Sequence, residues 1–230
     1  MRELAELRVT QTRIYPIDRI PYQSLLVARH LTALQEQFHF KSMGPPEEAG
    51  QPGLAFDVGD FRHEGKDYPF LRLLIQPQRT VMTAAAPSSA CNAAHGMLES
   101  FLAQIDSYNR FVGTHPSLFT EETVCAVDLD FGLQDLLSKR FVDFVSKDLQ
   151  SAFCNPAATA TISPSRVAMR ISYTMTDSDL AESGFRIADK TLVIEPRAHT
   201  SPTKHRFFTQ SPTDSETHLR LLRALEEALK

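Results

Sequence analysis

The segment "LLIQPQRTVMTAAAPSSA", residues 73–90, predicts two strands, the turn between them and the start of a helix. Pro77 has no N–H to donate to a sheet ladder, so the apolar run that precedes it has to end in a turn. Residues 80–86 then return as a second strand. The letters "PSS" at residues 87–89 combine a proline with hydroxyl side chains, which are favoured at a helix N-terminus. The segment therefore predicts a hairpin that leads directly into a helix.

A second apolar run, "LVIEPRAHT" at residues 192–200, ends in the same way, with an acidic or amide residue followed by proline and, close behind it, arginine. From Pro77 to Pro87, where the helix starts, is ten residues, and from Pro196 to Pro212 is sixteen. The two segments therefore predict equivalent hairpins, of which the second has the longer loop.

The spacing of apolar residues around these segments predicts the same order of elements twice. Residues 7–110 predict strand, helix, three strands and helix, and residues 121–230 predict that order with one further short strand. A helix over residues 132–153 has an apolar residue at every fourth position, so it is expected at the centre of the core with Phe141 fully buried. We therefore predict a single α+β domain over residues 1–230, in which duplicated halves form one curved antiparallel sheet with helices on one face.

Two helices have a well-defined apolar face in the sequence. The helix that follows Pro87 should bury Ala90, Ala94, Met97, Phe101 and Ile105. In the last helix, Thr213 and Glu216 have the spacing of a capping box. The stripe expected to be buried there consists of Leu222, Leu225 and Leu229.

The order of elements over the whole chain resembles the TATA-binding-protein-like plan. In that plan two such halves share one curved antiparallel sheet with helices on one side. The resemblance rests on element order, so it implies a fold and transfers no functional residue to this chain.

The net charge of the chain makes some classes of function, such as nucleic-acid binding, less probable than others. The net charge is −4, made up of −1 over residues 1–120 and −3 over residues 121–230. Nucleic-acid-binding proteins usually carry a basic excess, so a nucleic-acid partner is disfavoured.

The three cysteines are an odd number without a CxxC pair, which does not indicate a disulfide framework. The sequence shows neither a signal peptide nor a membrane span, and we expect a cytoplasmic protein without a membrane partner.

Two short patterns contain side chains that are capable of chemistry. Asp128 and Asp130 lie two apart on a predicted strand and share a face, where a pair of carboxylates about 7 Å apart suits a divalent cation or acid–base catalysis. The alternative is that they are polar residues of an open sheet face.

Cys91 and His95 lie four apart on a predicted helix, but a zinc site needs more than two ligands. We interpret them as buried core residues, and we predict no metal and no cofactor.

The most basic short stretch of the chain is "RAHTSPTKHR", residues 197–206. It lies in the longer hairpin loop, and we predict that it binds a partner. An alternative is a solvated loop without a partner. The residues expected to contact the partner are Arg197, His199, Lys204, His205 and Arg206.

Helices on one side of the sheet leave the other side open, and alternation along the strands predicts which residues it presents. These include Arg72, Arg170, Asp128 and Asp130, a set that is polar and mixed in charge. Aromatic side chains, on which single-stranded nucleic acids stack, are missing from it. The open face therefore favours contacts with a protein.

The sequence thus predicts a non-catalytic intracellular protein that acts by association with a protein partner or with itself. One alternative is a nucleic-acid binder whose Arg72, Arg170 and Arg186 contact phosphates. A second is a metal-dependent enzyme centred on Asp128 and Asp130. A third is a carrier that holds a small ligand between the helices and the sheet.

Overall fold

The structure is a computed structural model that describes residues 1–45, 52–152, 164–172, 189–198, 200 and 204–230. The elements before residue 118 are, in chain order, β1 (Arg2–Ile14), α1 (Tyr22–Leu25), α2 (Ala28–Gln37), β2 (Ser42–Gly44), β3 (Leu54–His63), β4 (Lys66–Ile75), β5 (Arg79–Ala84) and α3 (Ser88–Ile105). The elements that follow are β6 (Leu118–Asp128), a 3₁₀ turn (Leu133–Leu136), α4 (Lys139–Ala152), β7 (Val167–Ile171), β8 (Lys190–Pro196), β9 (Arg206–Ser211) and α5 (Ser215–Ala228).

The nine described strands form one sheet in the order β2-β3-β4-β5-β1-β6-β9-β8-β7. Every strand pair with a described register is antiparallel, for example Val9 opposite Ala84 and Val193 opposite Gln210. The predicted α+β class with an antiparallel sheet is therefore confirmed.

The turn between β3 and β4 shows how local chemistry sets the strand register. His63 pairs with Lys66, so the connection consists of Glu64 and Gly65 alone. Both have positive φ, 49° and 78°, as a two-residue hairpin of the favoured twist requires. The turn at Pro77 is equally tight, because the N–H of Gln76 donates to the carbonyl of Arg79 at 2.8 Å.

The chain divides into two compact units, which are described separately. The N-terminal unit comprises Glu6–Thr123 and Thr213–Thr217. The C-terminal unit comprises Met1–Ala5, Val124–Pro212 and His218–Lys230. Descent of residues 7–110 and 121–230 from one duplicated unit stays a prediction.

The core of the N-terminal unit is centred on a cluster of phenylalanines. The ring of Phe70 lies 4.8 Å from that of Phe61 and meets the ring of Phe38 edge to face at 5.2 Å, measured between centroids. Phe40 and Phe56 complete the cluster, with their own centroids 5.3 Å apart. Contacts of this kind add to the stability that the buried area itself provides.

Helix α3 packs on this core with the face that the sequence predicted. Ala90, Ala94, Phe101 and Ile105 are buried, and Met97 is partly buried against the cluster. Small residues at Ala90 and Ala94 allow close packing of the helix backbone. The predicted phase of this helix is confirmed.

Helix α5 begins one residue later than the predicted capping box requires. The N–H of Thr217 donates to Oδ1 of Asp214 at 2.8 Å, so Asp214 is the capping residue and the capping-box prediction for Thr213 is wrong. Aspartate is among the best N-caps, and it competes directly with its neighbour for the same N–H groups. The side chains of α5 that are buried are Ser215, His218, Leu222 and Glu226.

The predicted helix over residues 132–153 is the largest correction to the fold. Helix α4 begins at Lys139, because residues 133–136 form a 3₁₀ turn and Ser138 accepts a hydrogen bond from the N–H of Phe141. Phe141 is 55% exposed and Phe144 is 64% exposed. The expectation that Phe141 lies deep in the core is therefore wrong. Apolar periodicity identifies an amphipathic helix, but it does not say what covers the apolar side.

Some predictions fall on residues that the structure does not describe. They concern the short strand at residues 184–187, Cys154, Arg186 and His199. Among the helices that are described, none has the length and apolar character to cross a membrane.

Candidate partner-binding site

The predicted 197–206 loop joins β8 to β9, and hydrogen bonds fix its base. The N–H of Arg197 donates to the carbonyl of Arg206 at 2.9 Å. The N–H of Leu129, just past the end of β6, donates to the carbonyl of His205 at 3.0 Å. His205 has a φ of 46°, a conformation in which histidine is over-represented among non-glycine residues. The basic residues at the base of the loop are thereby held in place, and Lys204 is exposed.

Arg206 forms a bidentate ion pair with Asp128, the last residue of β6. Its Nε donates to Oδ1 at 2.8 Å, and a terminal nitrogen donates to Oδ2 at 3.4 Å. The opposite face of the same two strands contains Cys125 and Thr209, whose side chains are 3.2 Å apart. Asp128 and Arg206 therefore lie on the face that the sequence predicted to be open.

Two further arginines act on the same carboxylate. The pKa of Asp128 is lowered, first by the hydrogen bond from Arg206 and then by the positive charges of Arg206, Arg2 and Arg197, while burial opposes the shift. We call Arg2, Arg197 and Arg206 the arginine cluster. Arg206 contacts the Asp128 carboxylate directly, and the charges of Arg2 and Arg197 act on it through space.

Asp130 does not share this environment, although the sequence placed it on the same face as Asp128. Strand β6 ends at Asp128, and the N–H of Asp130 donates to Oε1 of Glu226 at 2.8 Å. The carboxylate of Asp130 lies 3.8 Å from the N-terminal ammonium of Met1. In the described ranges, no group of three or more potential metal ligands occurs. The two carboxylates thus have different cationic partners, and alternation stops predicting side-chain direction where the strand ends.

The remaining arginines predicted on the open face each lie beside a carboxylate. In the N-terminal unit, Nε of Arg72 is 3.7 Å from Oδ1 of Asp57. In the C-terminal unit, Arg170 forms an ion pair with Asp189. There Arg166 also lies 3.5 Å from Glu195. Each of these arginines therefore has a negative charge beside it.

Cys91 and His95 are both fully buried on α3, as predicted from the sequence. Burial, helped by the charge of Glu121, raises the pKa of the Cys91 thiol to about 12. Burial and the nearby charge of Arg13 lower the pKa of His95 to about 3. A neutral thiol and a neutral imidazole without solvent access are core residues, since a reactive cysteine requires the thiolate.

A polar network beside these residues was not predicted from the sequence. Nε2 of Gln11 donates to Oε1 of Glu121 at 3.1 Å, and both side chains are buried. Arg13 and the hydroxyl of Tyr15 both donate to Oε1 of Glu99, at 2.7 and 2.6 Å. The sequence does contain a signal for this network. Gln11, Arg13 and Tyr15 are separated from the buried Val9 by two, four and six residues, so strand alternation predicts that they lie on the same side of the chain as Val9. This network ties β1 to α3 and has no solvent-facing nucleophile.

Comparisons with known proteins yield a structural likeness alone. No family model matches the sequence, and no curated protein matches it. Among solved structures, the chain is similar to the TBP of Methanococcus jannaschii, with 11% identity over 97% of this chain and 98% of that chain and a TM-score of 0.40. At this identity and TM-score, we transfer neither a function nor a residue from that protein.

Proposed function

We propose that this protein is a non-catalytic interaction protein that binds an acidic segment of a protein partner through the arginine cluster. The observation that supports this is the ion pair between Arg206 and Asp128, together with the positive charges of Arg2 and Arg197, which lower the pKa of the same carboxylate. Arginine is suited to this task because its planar guanidinium meets a carboxylate through two parallel hydrogen bonds. We keep the cytoplasm as the predicted location.

The ion pair between Asp128 and Arg206 gives the cluster its geometry. It holds one guanidinium in a fixed orientation at the base of the loop. The charges of Arg2 and Arg197, with that of the exposed Lys204, supply the attraction for an incoming carboxylate. Charged groups on an interface of this kind contribute more to the association rate and to partner choice than to raw affinity.

A protein partner fits the charge distribution better than a nucleic acid does. A phosphate backbone needs a continuous track of cations, and the net charge of this chain is −4. Arg72 and Arg170 lie beside Asp57 and Asp189, so each of these cations has a negative charge next to it. The cations of the arginine cluster are grouped around one position, which suits a short acidic segment.

The environments of the candidate catalytic groups support a non-catalytic role. Asp128 and Asp130 have separate partners, an arginine and the N-terminal ammonium. The pKa of Cys91 is raised to about 12 by burial, the opposite of what a nucleophile needs.

The test is fluorescence anisotropy with a labelled glutamate decapeptide and, in parallel, a labelled single-stranded DNA decamer. Charge reversal by Arg197→Glu in the full-length chain should weaken peptide binding at least about tenfold. Arg220→Glu is the matched control, because Arg220 is an exposed arginine on α5 of the same unit. It should leave the affinity within about twofold. Binding should also weaken as salt rises, because exposed charges are screened.

Two results would refute the proposal. If the DNA binds more tightly than the peptide and Arg197→Glu abolishes that binding, the cluster is a phosphate site and the nucleic-acid alternative holds. If Arg197→Glu and Arg220→Glu weaken peptide binding equally, only net charge matters and the cluster has no special role.

A further inference from the structure

A pocket of about 250 Å³ lies in the N-terminal unit between the loop that follows β1 and the loop that follows α3. Its lining includes Arg19, Tyr22, Pro77, Tyr108 and Arg110. Its lining contains no described residue of the 197–206 loop and none of the residues predicted on the open sheet face.

Hydrogen bonds within the two loops give the pocket a fixed shape. Both carboxylate oxygens of Asp106 accept backbone N–H groups, Oδ1 that of Tyr108 at 3.1 Å and Oδ2 that of Phe111 at 2.7 Å. A terminal nitrogen of Arg19 donates to the carbonyl of Arg110 at 3.1 Å, which joins one loop to the other. The pocket is therefore preformed, and a ligand does not have to order it.

The charges at the pocket differ from those on the sheet. Arg19 contacts a backbone carbonyl, and the guanidinium of Arg110 lies over the ring of Tyr108 at 4.9 Å. Within the described part of the chain, neither guanidinium forms an ion pair with a carboxylate. The Asp106 carboxylate faces into its own loop, where the two N–H groups meet its charge. The carboxylate of Asp18 also lines the pocket, and no described ion pair joins it to Arg19 or Arg110. Both guanidiniums can therefore meet the charge of an incoming anion.

Large apolar side chains protrude from the same two loops. Ile17 is 72% exposed, Tyr108 is 75% exposed and Val112 is 61% exposed. Single exposed apolar residues are ordinary, but here they accompany a pocket with two arginines. Tyrosine and arginine are the residue types that contribute most to binding energy at protein interfaces.

We propose that this pocket binds a short peptide segment of a partner protein in which a carboxylate side chain adjoins an apolar or aromatic one. The carboxylate would lie between Arg19 and Arg110, and the apolar side chain would contact Tyr108 and Pro77. The site is independent of the function proposed above, because it uses other residues in the other unit.

The size of the pocket favours a peptide over a small molecule. Small-ligand pockets usually enclose about 300–1,000 Å³, and this one is below that range. It has room for a side chain of a larger ligand, while Ile17 and Val112 extend the contact surface outside the pocket. A free inorganic anion would leave these apolar residues without a contact.

Isothermal titration calorimetry of the full-length protein tests the proposal with four probes. They are the acetylated and amidated peptide Glu-Phe-Glu-Leu, its analogue Gln-Phe-Gln-Leu, N-acetylglutamate and inorganic phosphate. The acidic peptide should bind at least about tenfold more tightly than each of the others. Arg110→Gln should remove that advantage, and Tyr108→Ala should weaken the acidic peptide without affecting the fold, because Tyr108 is exposed.

Two controls separate this site from the rest of the surface. Arg29→Gln removes an exposed arginine on α2 of the same unit and should leave binding of the acidic peptide unchanged. Arg220→Gln, at an exposed position on α5 that belongs to neither proposed site, should also leave it unchanged.

Three outcomes would overturn the proposal. Equal affinity for the acidic and the amide peptide would mean that no carboxylate is recognised. Equal affinity for N-acetylglutamate, or for phosphate, would make the pocket a small-anion site. Absence of heat from the acidic peptide at millimolar concentration at two well-separated temperatures would mean that no such segment binds, because the enthalpy of binding changes with temperature.

Discussion

Ser88 and Ser215 exchange two hydrogen bonds within the N-terminal unit. The N–H of Ser88 donates to Oγ of Ser215 at 3.0 Å, and the N–H of Ser215 donates to Oγ of Ser88 at 2.8 Å. Each serine is the first residue of its helix, α3 or α5, where the N–H has no partner inside the helix. Each hydroxyl therefore accepts a hydrogen bond from the first N–H of the other helix.

Replacing either serine by alanine should lower the free energy of unfolding by about 1 kcal/mol, because a buried helix N–H loses its acceptor. Urea denaturation of Ser88→Ala, Ser215→Ala and the double variant measures this. Ser100→Ala is the control, because Ser100 is exposed and bonds to its own helix at the Gly96 carbonyl. If the single variants are as stable as this control, the exchange has no energetic role.

Phe70→Ala should lower the free energy of unfolding by about 3–5 kcal/mol, because the ring lies at the centre of the phenylalanine cluster. Phe141→Ala should cost less than about 0.5 kcal/mol, because that ring is mostly exposed. The same denaturation experiment compares them. A large loss at Phe141 would mean that the apolar side of α4 is covered in solution.

Val58→Gly should raise the free energy of unfolding by about 1 kcal/mol. Val58 is an exposed β-branched residue with a φ of 52°, a conformation that strains such a side chain. Glycine adopts this φ without strain, although it adds entropy to the unfolded chain. A rise in the melting temperature in scanning calorimetry would confirm the strain, and a fall would contradict it.

The adjacent glycine is the matched comparison for that variant. Gly59→Ala should destabilise the protein, because a Cβ there would lie 2.3 Å from the carbonyl oxygen of Phe38 and 2.7 Å from the ring of Phe40. The two substitutions on neighbouring residues should therefore have opposite signs in the same assay. Equal signs would mean that the local backbone relaxes.

Acid should destabilise the protein through two buried histidines. Burial lowers the pKa of His218 to about 4, and burial together with Arg13 lowers that of His95 to about 3, from an ordinary value of 6.5. Below pH 6.5 the unfolded chain binds protons that the native state does not, so stability falls as the pH drops from 6.5 towards 4. The loss should approach about 1.4 kcal/mol per pH unit for each histidine.

A histidine substitution isolates this effect from that of the carboxylates. In His218→Gln the slope of the unfolding free energy against pH between about 6 and 4.5 should decrease by up to about 1.4 kcal/mol per pH unit, the contribution of one histidine. The glutamine keeps a hydrogen-bonding group near Thr209, whose hydroxyl lies 2.9 Å from the imidazole Nε2. His115→Gln, at an exposed position, is the control for removal of a histidine from the surface. An unchanged slope in both variants would show that His218 does not stay neutral when folded.

The arginine cluster was predictable only in part. The basic stretch at residues 197–206 is visible in the sequence, and strand alternation placed Asp128 on the open face. That Arg2 also acts on this carboxylate depends on pairing among β1, β6 and β9. No local pattern contains that information, because the residues are far apart in the chain. The pocket near Arg19 and Arg110 depends in the same way on two distant loops.

The sequence by itself determined the elements whose signals are local. The turn at Glu64 and Gly65, the strand end at Pro77 and the buried face of α3 follow from backbone preferences and apolar spacing over a few residues. Tertiary structure alone decided what each surface meets. It left Phe141 exposed on a helix with strong apolar periodicity, and it gave Asp128 and Asp130 different cations. The physical reason is that periodicity depends on neighbours in the chain, whereas burial and charge pairing depend on neighbours in space.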